Sequence, residues 1–136
     1  MKELTDLERA VLVKLLEGDH PVLSSLRSQL KASRVIGREF TGVGFFTNLA
    51  LGENGSERIA GDLKFGDVIA DIDGLRHGAG FLLYVENGAL KMLEGYSYDE
   101  PWPQKISAFK LSFMQGEERD WQALMKILEK QQRRSS

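Results

Sequence analysis

The chain has 136 residues, 42% of them hydrophobic and 28% charged, and a formal net charge of −2. This size and apolar content suit one domain over residues 1–136 with one core, and the near-neutral balance lacks the broad basic surface of a non-specific nucleic-acid binder, so no nucleic-acid partner is expected. There is no cysteine, which excludes disulfides, thiolate nucleophiles and cysteine-held metal clusters.

Thr5-Asp6-Leu7-Glu8 has the form of a capping box, so a helix is expected to begin there, with Leu7, Val11, Leu12 and Leu15 on its inner face and Gly18 ending it. Pro21 suits the first turn of a second helix, with Leu23, Leu26 and Leu30 inward and the chain leaving near Ser33; the two helices make an αα-hairpin. From Arg34 the period changes. Val35, Ile36, Phe40, Val43, Phe45 and Phe46 read either as two strands around Thr41–Gly44 or as one bent strand. Gly52 to Gly61, with Asn54-Gly55, reads as a surface loop.

Gly66 to Gly74 alternates, with Val68, Ala70 and Ile72 facing one way and Asp67, Ile69, Asp71 and Asp73 the other, as in a half-buried strand. Phe81–Glu86 and Ala89–Tyr96 are joined by Asn87-Gly88, the preferred pair for a type I′ hairpin turn. Phe81 to Val85 is apolar throughout and predicts a central strand covered on both faces. Ile106–Met114 reads as a last strand, and Trp121, Leu124, Met125 and Leu128 as a terminal helix. Helices at the ends and strands in one block predict an α+β fold: an antiparallel sheet of about five to six strands, preceded by an αα-hairpin and followed by a C-terminal helix. No apolar run approaches the roughly 18–20 residues of a membrane span, and MKELTDLERAV does not read as a signal peptide. A soluble cytoplasmic protein without a membrane partner is expected.

The enzyme-like strings fail their own requirements. His77-Gly78-Ala79-Gly80 and Gly95-Tyr96-Ser97-Tyr98-Asp99 superficially match an esterase oxyanion turn and a nucleophile elbow, but the second lacks its last glycine, and Pro101 and Pro103 oppose the helix an elbow needs. Asp67, Asp71 and Asp73 on one strand face would give a carboxylate metal site only if another strand supplied Glu94 or Glu86; the competing reading is a solvated face. Glu94 with Asp99 or Glu100 would make an acid–base pair, with Tyr84, Tyr96, Tyr98 and Trp102 stacking on a sugar ring, or the same aromatics would serve a small ligand-binding domain. No cofactor and no oligomeric state is implied.

The remaining reading is a binding surface at Tyr96, Tyr98, Asp99, Glu100 and Trp102, where aromatic side chains give rigid contact area and the two prolines stiffen the backbone. Its alternative is that Trp102 folds inward to plug one end of the sheet. Between Glu53 and Glu100 the chain is strongly acidic and its ends are basic, so a basic protein partner is expected if the fold gathers those acids.

Three segments, Arg38–Phe45 (REFTGVGF), His77–Phe81 (HGAGF) and Leu93–Pro103 (LEGYSYDEPWP), resemble those of a family of small, functionally uncharacterised bacterial proteins, a likeness that would cover most of the chain. The resemblance brings no activity and no catalytic residue. Compact acidic-surfaced proteins of this kind are often suspected of being immunity proteins, so it implies a non-catalytic interaction protein, immunity-like or adaptor-like, more than an enzyme.

Overall fold

The capping box forms as its residue types require. The Glu8 N–H donates to the Thr5 hydroxyl at 3.1 Å and the Thr5 N–H to the Glu8 carboxylate at 2.7 Å, starting helix α1 (Asp6–Leu15). The computed structural model describes residues 3–52 and 58–133; Asn54-Gly55 lies outside them. Helix α2 (Pro21–Ala32) carries its proline in the first turn, and its N-cap is His20, whose Nδ1 accepts the Val22 N–H at 3.1 Å. With no intervening loop the chain then enters the sheet at Ser33.

Among the described residues seven antiparallel strands follow: β1 (Ser33–Phe40), β2 (Gly44–Leu51), β3 (Leu63–Phe65), β4 (Val68–Ile72), β5 (Ala79–Glu86), β6 (Ala89–Ser97) and β7 (Phe109–Phe113), before helix α3 (Trp121–Arg133). Their spatial order is β1-β2-β6-β5-β4-β7, with β3 beside β5. The glycines around residue 42 therefore separate two strands, and the hairpin at Asn87-Gly88 forms with φ of 51° and 80°, the backbone a type I′ turn demands.

The strand beyond the expected five to six is β3. It lies end to end with β4 along one edge of β5: Leu63–Phe65 pair with Val85–Leu83, and Ile69 and Ala70 with Gly80 and Ala79. The chain is interrupted at Gly66, which passes so near β5 that a Cβ there would stand 1.8 Å from the Phe81 carbonyl oxygen. Gly66→Ala is expected to cost about 1–3 kcal/mol, as overpacking does. Urea unfolding would show a lower midpoint at unchanged slope.

The core lies on one sheet face. Phe45, Leu49, Phe81, Leu83, Val85 and Leu93 are buried there under Leu12, Leu15, Leu23, Leu26, Leu124 and Leu128 of the three helices. On the other face Phe46, Leu82, Tyr84, Met92, Glu94 and Tyr96 are only half-buried. Strand β5 is central, as the sequence predicts, but it is covered on one face and not on both. Among the described residues the strands are all antiparallel and no helix stands between two of them, so none is carried to the second face there.

Gln29 and Arg119 both tie the layers together. Gln29 of α2 donates to the Gly88 carbonyl at 2.8 Å and accepts the Leu90 N–H at 2.9 Å, holding the β5–β6 turn from above. Arg119, before α3, donates to the carbonyls of Leu15 (2.7 Å) and Glu17 (2.6 Å) at the end of α1 and forks onto Asp67 at 2.7 and 3.0 Å.

Candidate functional site

Antiparallel pairing brings four separate stretches to one end of the sheet: the start of α1, the β1–β2 turn, the β4–β5 loop and the chain leaving β6. They are laced together by backbone. Ser97 N–H donates to the Val43 carbonyl and Trp102 N–H to the Gly42 carbonyl, both at 2.8 Å, and Asp73 N–H to the Ala108 carbonyl at 3.1 Å. The exit turns sharply because the Ser97 hydroxyl donates to the Glu100 carbonyl and accepts the Glu100 N–H, with Asp99 in the left-handed region at φ 63°.

Glu100 is a clamp. Its carboxylate accepts the backbone N–H groups of Arg76 (2.9 Å) and His77 (3.0 Å), and these two donors hold its pKa below the ordinary carboxylate value. The β4–β5 loop is thereby tied to the β6 exit.

The sharp turn distributes the five expected binding residues over both sides of the sheet. Tyr96 lies half-buried on the outer face with its ring over Gly80, where a Cβ would meet the phenol at 2.5 Å. The exposed Tyr98 stands edge-on to it, ring centres 5.8 Å apart. Burial, followed by Tyr98, raises the Tyr96 pKa. Asp99 is exposed at the bend. Trp102 crosses to the helical side, half-buried, and packs edge-to-face on Phe45 at 5.3 Å.

Glu94 accepts the Tyr84 hydroxyl at 2.8 Å on the outer face. Burial, reinforced by Glu94, pushes Tyr84 up to about 12. Glu94 is engaged by Tyr84 on the outer face, whereas Glu100 is engaged by the Arg76 and His77 N–H groups of the β4–β5 loop, so the two carboxylates serve different partners. The aspartate row is likewise divided. Asp67 is taken by Arg119, Asp71 stands across from Lys110, and Asp73 accepts the Ser107 hydroxyl at 3.2 Å. Among the described residues no group of three or more His, Cys, Asp or Glu side chains could hold a metal ion.

The same end of the fold contains a cleft of about 350 Å3 on the helical side of the sheet, walled by Phe40, Phe45, Trp102 and Phe109. Beside it Glu8, only 1% exposed, joins helix to sheet. Arg38 of β1 forks onto its carboxylate at 2.7 and 2.9 Å, and the Thr47 hydroxyl of β2 donates to the same group. Burial favours the neutral acid, but the hydrogen bonds from Arg38, Thr47 and Thr5 outweigh it and hold Glu8 below its ordinary value.

Sequence reasoning placed Glu8 in the capping box and missed its second role, since both partners lie on strands thirty or more residues away. Phe40 and Phe109 were legible as strand residues, but nothing local marks them as the walls of one cleft. No protein-family model matches the chain, and neither a curated protein nor a solved structure matches it.

Proposed function

We propose that this chain is a non-catalytic protein-binding module, immunity-like or adaptor-like, that holds a basic partner against the loop-bearing end of its sheet. The observation that carries the reading is the rigid display of apolar surface there. Phe40 is 70% exposed, and Val43 and Tyr98 are each 46% exposed, on backbone that the hydrogen bonds at Val43 and Gly42 fix in place. Exposed aromatic side chains on a preorganised frame lose little entropy on binding, which is how a small interface gains affinity. Asp6, Asp73 and Asp99 add exposed negative charge around them. Arg76 and Lys105 are interspersed, so the patch favours a partner with its own charge pattern over any polycation.

Immobilised protein is expected to retain a partner that Tyr98→Ala with Val43→Asp loses and that Ile127→Asp, on α3, does not. Retention is expected to weaken as salt rises. Equal capture by the Tyr98/Val43 variant would overturn the proposal.

A further inference from the structure

The aromatic cleft adjoins the exposed patch, sharing Phe40 and Trp102 with that end of the fold. We propose that it receives a cationic side chain of the partner, arginine in preference to lysine. This rests on the protein-binding reading and names the chemistry of the residue the partner inserts.

Charge decides the sign of the occupant. Arg38 is the guanidinium of the cleft, and it is already neutralised by the fork onto Glu8. The Glu8 oxygens each accept two hydrogen bonds, so Glu8 is satisfied as well. The charge left at the mouth belongs to Asp6, a cleft residue whose carboxylate makes no hydrogen bond or ion pair among the described residues and is exposed. Asp73 adds negative charge nearby, accepting the hydroxyl of Ser107, another lining residue. Lys105 on the adjoining loop offsets part of this from the solvent side. The positive end of α1 opposes a cation, but the capping box already engages the Thr5 and Glu8 N–H groups.

The walls decide the shape. Phe40, Phe109 and the half-buried Trp102 line the cleft with aromatic surface, Phe45 being buried against Trp102, and a planar guanidinium stacks on aromatic rings while forking onto a carboxylate. An ammonium uses the same charge without that fit. A cleft of about 350 Å3 is ample for one such side chain and closed enough to desolvate it partly.

The test uses small probes on the whole chain, so it does not depend on finding the partner. N-acetyl-arginine amide, N-acetyl-lysine amide, the neutral isostere N-acetyl-citrulline amide and N-acetyl-glutamate amide are titrated while the Trp102 indole N–H is followed by NMR, assigned by its survival in Trp121→Phe. Saturable shifts are expected with the arginine probe at millimolar concentration, weaker ones with lysine, and little with the other two. Asp6→Asn, an exposed change confirmed as folded by its unaltered amide spectrum, is expected to weaken the arginine response about three- to tenfold. Equal shifts from citrulline, stronger shifts from glutamate, no response to any probe, or no effect of Asp6→Asn would each overturn the inference. Loss of the probe response with Tyr98-dependent capture intact removes the cleft assignment alone; a retained response without Tyr98-dependent capture removes the protein-binding reading.

Discussion

Arg119→Ala is expected to destabilise the protein by about 3–5 kcal/mol, the range for removing one partner of a buried, hydrogen-bonded ion pair. The guanidinium is 3% exposed on its side chain and lies 4.8 Å from the Phe113 ring centre. It donates to the last carbonyls of α1 and forks onto Asp67. Truncation leaves those carbonyls without their cationic cap and Asp67 without its counter-charge, while emptying a volume between α1, β7 and α3. Asp67 itself is 24% exposed and can recover some hydration, so helix α1 bears most of the loss. With total stabilities of about 5–15 kcal/mol for such domains, the melting temperature is expected to fall by roughly 10–20 °C. Arg119→Lys is expected to recover only part of this, because an ammonium has no fork to span Asp67 and two carbonyls. A melting curve for Arg119→Ala within a degree or two of wild type would refute the assignment.

The second large effect is at Glu8. Glu8→Ala leaves Arg38, Thr47 and the Thr5 N–H without their shared acceptor, and about 3 kcal/mol of destabilisation is expected, at the lower end of the buried-pair range because Arg38 is 18% exposed and can reach water. The pH dependence has a definite sign. Glu8 is held below its ordinary 4.5 in the folded protein. Its contribution is therefore complete above about pH 4.5 and is lost as pH falls through the lower folded value. Glu8→Gln removes that titration, so the stability gap between wild type and Glu8→Gln is expected to narrow progressively below pH 4.5. Urea midpoints between pH 3 and pH 7 measure it, and a gap that widens in acid would reverse the assignment.

The features legible in the sequence are those fixed within a few residues. Thr5 and Glu8 specify a cap, Pro21 a first turn and Asn87-Gly88 a two-residue hairpin, each from its own local geometry. What escapes local reading is created by pairing. Strand β3 is three residues long and becomes a strand only because Gly66 can lie against Phe81. Arg119 reads as one more charge before a helix, and only the return of α1 to the same place makes it an anchor. The expected binding segment shows the boundary most clearly. Strand alternation sends Tyr96 to the outer face, but the Ser97–Glu100 turn, with Asp99 at positive φ, carries Trp102 to the opposite side, and that reversal is not encoded by side-chain period.

The position of β6 between β2 and β5 has a consequence for how the molecule is made. The β1–β2 hairpin can form from neighbouring residues, yet β2 finds its second partner only when Met92–Tyr96 have been synthesised. At typical elongation rates the roughly forty residues between Leu51 and Met92 leave that strand unpaired on one side for about 2–8 s. Docking of β6 onto β2 then closes contacts of high sequence separation, which slows folding relative to a chain built from local contacts alone. The nascent hairpin, with Phe46 and Leu49 beside an open strand edge, is the stage at which the chain is most exposed to wrong partners.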